Sequence, residues 1–109
     1  MDESNYNVAF ELILSAGNSK SQSLSAIEYA RESNFEEAEN CLEEAKIEMR
    51  KAHKIQVDMI QQEAQGKPVE VNIILVHAQD HLTMAMMAKD FSEEFVNIYK
   101  MITELKNNK

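Results

Sequence analysis

Only Gly17, Gly66 and Pro68 can interrupt a helix through backbone chemistry in this chain of 109 residues, and the last two flank Lys67. Glycine inside a helix costs about 1 kcal/mol relative to alanine, and proline removes a donor and clashes with the preceding turn. The rest of the chain is rich in Ala, Glu, Lys, Met, Leu and Ile and has no tryptophan. Such usage belongs to long helices rather than to a sheet. The sequence therefore predicts an all-α fold, with a firm stop at Gly66-Lys67-Pro68 and an uninterrupted helix after it.

Apolar residues divide the chain into three helices. From about Asn7 to Arg31 the stripe is Ala9, Leu12, Ile13, Ala16, Leu24, Ile27 and Ala30, spaced as on one helical face. It has a gap at Gly17-Asn18-Ser19-Lys20-Ser21-Gln22-Ser23. This small, polar stretch reads as a solvated helical segment, a break, or a place where the missing Gly17 side chain lets another group approach. Glu32-Ser33-Asn34 is the first turn, with Asn34 as N-cap and Glu37 at the third helical position. The second helix runs to about Gln65 on the stripe Phe35, Ala38, Leu42, Ala45, Met49, Ala52, Gln56, Met59 and Ile60. Its acids gather at the N-terminal side and Lys46, Arg50, Lys51 and Lys54 follow, an order that suits the helix dipole and reads as a solvated face. The third helix starts near 69–72 and ends about Lys106. Short turns between three helices imply one domain over 1–109, an up-down-up antiparallel bundle.

The formal charge of −8 argues against a nucleic-acid binder, which needs cations to neutralise phosphates, and disfavours an anionic membrane surface. No apolar run has transmembrane length, and Met1-Asp2-Glu3-Ser4-Asn5 lacks the features of a secretory signal. A cytoplasmic protein without membrane insertion is expected. Cys41 stands alone, so no intrachain disulfide forms, and it reads as a core-edge residue rather than a reactive thiol. His53, at the edge of the second stripe, reads as a packed, hydrogen-bonded histidine.

The third helix concentrates the chemistry. Three ionisable groups, His77, Asp80 and His81, sit in its apolar part, and burying such groups is costly unless they are paired, ligated or used. At about 100° per residue, Ile73, Asp80, Met84, Met87 and Phe91 share one face, with Leu75, Leu82 and Met86 nearly opposite. A small monomer can cover only one of these faces, so the other predicts a homo-oligomer. Asp80 within an apolar face implies either a lysine from another helix or a divalent cation such as Mg²⁺ on a symmetry axis, since hard ions prefer oxygen ligands. His77 and His81, four apart, can present two imidazoles to one metal, or one of them can act as a nucleophile while a hydrogen bond fixes its tautomer.

The string His77-Ala78-Gln79-Asp80-His81-Leu82 resembles the active-site signature of the lactose/cellobiose-type enzyme IIA of the bacterial phosphoenolpyruvate-dependent sugar phosphotransferase system. Further similarities follow in the same order: Ser15-Ala16-Gly17-Asn18-Ser19-Lys20-Ser21 in helix one, Asn34-Phe35-Glu36-Glu37-Ala38 at the turn, Ala52-His53-Lys54-Ile55-Gln56, and Glu63-Ala64-Gln65-Gly66. The chain departs from the family at Thr83, where many members have Met, and at Asn18, where Asp is common.

The resemblance implies a homotrimeric three-helix bundle that carries phosphoryl groups. His77 would accept one from phospho-HPr and pass it to a cysteine of enzyme IIB, with Gln79 and His81 in supporting roles. Asp80 from three subunits would hold the cation on the trimer axis. Ser19, Lys20 or Ser21 could donate to the phosphoryl group beside Gly17. By analogy the sugar would be a β-glucoside such as cellobiose, or lactose. The other reading of the residues is a non-enzymatic helical oligomer that binds a metal or a partner helix.

Overall fold

The structure, a computed structural model, describes residues 3–108. Among them are three helices and no strand: α1 (Glu3–Arg31), α2 (Phe35–Ala64) and α3 (Ile73–Asn107). Together they make a rod of 62 × 22 × 18 Å. The third helix begins at the late end of the expected range, after the connection 67–72, which ends at the N-cap Asn72, whose side chain accepts from Leu75 N at 3.0 Å.

The polar stretch of α1 neither breaks the helix nor is solvated throughout, contrary to both bland expectations. Ala9, Leu12, Ala16, Ser19, Ser23, Ala26 and Ala30 are all buried and recur in alternating steps of three and four. Two serines therefore continue the buried face across the gap. Ser19 Oγ donates to Ala45 O on α2 at 2.8 Å, and Ser23 Oγ donates to Ser19 O at 2.9 Å. With both hydroxyls paired, their burial carries little desolvation cost, and their small size lets α1 lie close to its neighbours. Leu24, expected in the stripe, instead faces outward and is 47% exposed.

Both turns close by the same backbone device. At the end of α1, Ser33 takes φ 63°, Asn34 N donates to Tyr29 O at 2.9 Å and Ser33 N to Ala30 O at 3.0 Å. At the end of α2, Gly66 takes φ 81°, Lys67 N donates to Gln62 O and Gly66 N to Glu63 O, both at 3.1 Å. These are left-handed C-terminal caps that satisfy the last carbonyls. Asn34 caps the next helix as expected, accepting from Glu37 N at 3.3 Å.

The core divides into two clusters. In one, Ala9, Leu12 and Ala16 meet Met49 and Ala52 of α2 and Ala78, Leu82 and Ala85 of α3. In the other, Ala26 and Ala30 meet Ala38, Cys41 and Leu42 of α2 and Val96 of α3. Helix α1 packs closely on both partners, whereas α2 and α3 touch far less and leave a cleft between them. Met86, placed by periodicity on the same face as Leu75 and Leu82, lies over that cleft and stays exposed.

The packed seam is built mainly from alanine and serine, and Leu12, Leu82 and Val96 are the largest apolar side chains fully enclosed. Each contributes about 1.5–3 kcal/mol on burial, a thin core for a chain of this length. Meanwhile Ile73, Met84, Met87, Phe91, Ile98 and Leu105 form an exposed stripe along α3.

The two caps generate a paired prediction. Gly66→Ala should lower stability by about 1 kcal/mol, because a Cβ is disfavoured in the left-handed region even where open space surrounds it. Ser33→Gly should not lower stability. Urea unfolding of both variants measures the contrast, and equal losses would refute the assignment of the caps.

Candidate functional site

His77 and His81 stand on successive turns of α3 with their Nε2 atoms 3.0 Å apart. The rings meet edge to face, with centroids 4.4 Å apart and an interplanar angle of 86°. A hydrogen bond between two imidazole nitrogens needs one N–H and one lone pair, so the two rings hold opposite tautomers. His77 is exposed and His81 is half-buried beside it. Two Nε2 atoms 3.0 Å apart are also spaced much as neighbouring nitrogens on one metal ion are, but they supply only two ligands. No cluster of three or more His, Cys, Asp or Glu suited to a metal exists among the described residues. A nucleophilic imidazole held by its neighbour is what the pair offers.

Gln79 does not join the histidines. It lies towards α2, where Gln56 Nε2 donates to Gln79 Oε1 at 2.9 Å, tying the histidine motif of α3 to Ala52-His53-Lys54-Ile55-Gln56. Gln56 was visible in the sequence as a polar residue inside an apolar stripe, but its partner was not. Thr83 Oγ1 donates to Gln79 O at 3.1 Å and so turns back onto its own helix.

Asp80 is exposed on the apolar stripe of α3. Among the described residues it has neither a hydrogen bond nor an ion pair, so the expected lysine partner is not found within the chain. Its carboxylate is an available hard oxygen donor, yet one chain supplies only that one.

The α1 segment contributes differently from the expectation. Ser19 is buried and its hydroxyl is already given to Ala45, so it cannot donate to a group at the surface. Lys20 is half-buried and Ser21 exposed. A Cβ built on Gly17 would meet nothing within 4 Å, so no part of the described chain uses the space above it. His53 is exposed and makes no hydrogen bond among the described residues, which overturns its reading as a packed, bonded histidine. Cys41 is buried, and burial, then the Glu37 carboxylate, push its thiol above the ordinary value. Both effects keep the thiol protonated, which suits a core-edge residue.

A helical bundle bearing this histidine motif can be compared with known proteins. Residues 7–100 match the family described as "PTS system, Lactose/Cellobiose specific IIA subunit". The chain belongs to that family. It is therefore an enzyme IIA component of a phosphotransferase system, of the type that handles cellobiose- and lactose-like sugars. The lichenan-specific phosphotransferase enzyme IIA component of Bacillus subtilis (strain 168) is 41% identical over 104 residues, covering 95% of this chain and 94% of that protein. The crystal structure of the cellobiose-specific enzyme IIA from Bacillus anthracis superimposes with a TM-score of 0.91 at 35% identity, covering 95% of each chain. The solution structure of the IIA(Chitobiose)–HPr complex of Escherichia coli gives a TM-score of 0.79 at 25% identity, covering 94% of this chain and 99% of that one. No helix among the described residues is long and apolar enough to cross a membrane.

The imidazole pair is directly testable. Long-range ¹H–¹⁵N spectra recorded where both rings are neutral should show one ring protonated at Nε2 and the other at Nδ1. In His81→Ala the preference of His77 should disappear. Identical tautomers in both rings of the parent protein would rule the hydrogen bond out.

Proposed function

We infer that this enzyme IIA carries its phosphoryl group on His77. The observation that carries this reading is the exposed His77 ring with His81 Nε2 at 3.0 Å. A helix of 35 residues holds both rings, so the acceptor is positioned before its partner arrives, and positioning together with charge stabilisation is most of what phosphoryl transfer requires of a protein. As the imidazole lone pair forms its bond to phosphorus, the bond from phosphorus to the donor breaks. His81, displaced from its neighbour, then has an N–H to offer a phosphoryl oxygen. Gln79 acts at a distance, through its bond to Gln56, by holding the motif's helix against α2.

The donor would be HPr and the acceptor a cysteine of enzyme IIB, in the cytoplasm. The complex of the chitobiose relative with HPr supports the first of these. A β-glucoside such as cellobiose is the preferred sugar, supported by the lichenan-specific and cellobiose-specific relatives. The whole chain would act as one domain whose helices run up-down-up, a direction supported by the two core clusters, where advance along α1 is retreat along α2.

We further read the exposed stripe of α3 as the seam of a homotrimer. Three copies would bring three Asp80 carboxylates together in an apolar setting, where like charges repel strongly. A divalent cation, Mg²⁺ by the preference of hard ions for oxygen, would remove that repulsion. The unpartnered carboxylate fits this role.

Incubation with phosphoenolpyruvate, enzyme I and HPr should add one acid-labile phosphoryl group per chain, and none in His77→Ala. Normal labelling of that variant would remove the assignment. Absence of labelling in the parent protein, with metal retained, would favour a non-enzymatic helical oligomer. For Asp80, the protein should run in solution at three times 12.5 kDa, hold metal, and lose that metal in Asp80→Ala. A metal-free trimer that survives the substitution unchanged would eliminate the axial cation.

A further inference from the structure

The cleft between α2 and α3 has a volume of about 400 Å³ and is lined by Lys46, Met49, Arg50, His53, Met86 and Lys89. Its size falls in the range that takes small molecules. Two thioether side chains line it, and four basic side chains surround them. That concentration is unexpected in a chain of net charge −8.

Elsewhere on α2 the cations find acids. Lys51 pairs with Glu48 at 3.2 Å and Lys54 with Asp58 at 3.0 Å. Lys46, Arg50 and His53 have no such partner among the described residues, although Lys46 and Arg50 are four apart, where like charges on a helix oppose each other. Across the cleft, Asp90 and Glu93 both serve Lys89, at 3.3 Å each. Burial works against charge on Lys89, but the hydrogen bonds to Glu93 and Asp90 outweigh it and raise its pKa above the ordinary value. Asp90 and Glu93 are thus engaged by Lys89, and Lys46, Arg50 and His53 line the cleft with no acid paired to them among the described residues. A simple solvated face does not explain why the unpaired cations are the ones beside the apolar lining.

We propose that this cleft binds a small organic phosphate, its dianionic group held by Lys46, Arg50 and His53 and its apolar body seated against Met49 and Met86. A phosphate monoester is favoured over a carboxylate because it carries more charge and presents several oxygens, which suits three donors at positions i, i+4 and i+7 of one helix and the planar fork of arginine in particular. Methionine suits an organic body of irregular shape, being flexible and polarizable. Met86 lies about 120° around α3 from Asp80, so the site is separate from the apolar stripe.

The test uses the full-length protein with its methionine methyl groups labelled with ¹³C, and phenyl phosphate as the probe. The Met49 and Met86 methyl signals should shift saturably in the millimolar range or below, with benzoate and inorganic phosphate each binding at least about tenfold more weakly. Arg50→Gln, and separately Lys46→Gln, should weaken phenyl phosphate by a similar factor while the circular dichroism stays that of the parent. His77→Ala should bind as the parent does, since the cleft does not include that side chain. The proposal is overturned if the two methyl signals do not move, if inorganic phosphate or benzoate binds as well as phenyl phosphate, if both charge-removing variants retain full affinity, or if binding is lost in His77→Ala.

Discussion

Helix α3 carries more apolar surface than a three-helix chain can cover, and much else in the molecule follows from that excess. Its inner seam, Ala78, Leu82, Ala85, Ser92 and Val96, is enclosed by α1 and α2. Its outer stripe, from Ile73 to Leu105, is left to solvent. Exposed apolar surface of that extent is the kind through which chains associate, and the enclosed core beneath it is modest. Neither seam contains a glycine or proline, and one unbroken helix carries both.

The close approach of α1 is the complementary device. Alanine and serine along its inner seam allow tight packing on α2 and α3 alike, and Ser19 adds a buried hydrogen bond to the backbone of α2. Because α1 is wedged against both, α2 and α3 stand apart, bridged by Gln56 and Gln79 towards one end and by Lys100 and Glu39 towards the other. The same arrangement sorts the histidine motif. His77 and His81 form one hydrogen-bonded pair, Gln79 turns to α2, and Asp80 remains on the uncovered stripe. Four neighbouring residues thereby acquire three different surroundings on successive sides of one helix.

Such sorting separates what could be read in the chain from what could not. The start and end of α2 were legible because Asn34, Gly66 and Pro68 act through local backbone geometry, and the two apolar faces of α3 were legible because periodicity is a property of one helix. The family was legible in the spaced motifs and is shown by the match over residues 7–100. By contrast, Ser19 and Ser23 looked solvated because polarity alone does not tell whether a neighbouring carbonyl is near enough to accept. Met86 shared a face with Leu82 on the helical wheel, which does not say where the partner helix ends, and His53 looked bonded because nothing local announces a missing partner.

The sequence by itself determined three helices, the caps at Asn34 and Gly66, the doubly apolar character of α3 and the presence of a histidine pair one turn apart, since each depends on interactions within a few residues. Only the tertiary structure decided which apolar face is covered, that Gln79 answers to Gln56 rather than to His77, and that cations from α2 gather around a cleft on α3. Those outcomes depend on distances between helices, which are set by how closely small side chains let α1 approach its neighbours.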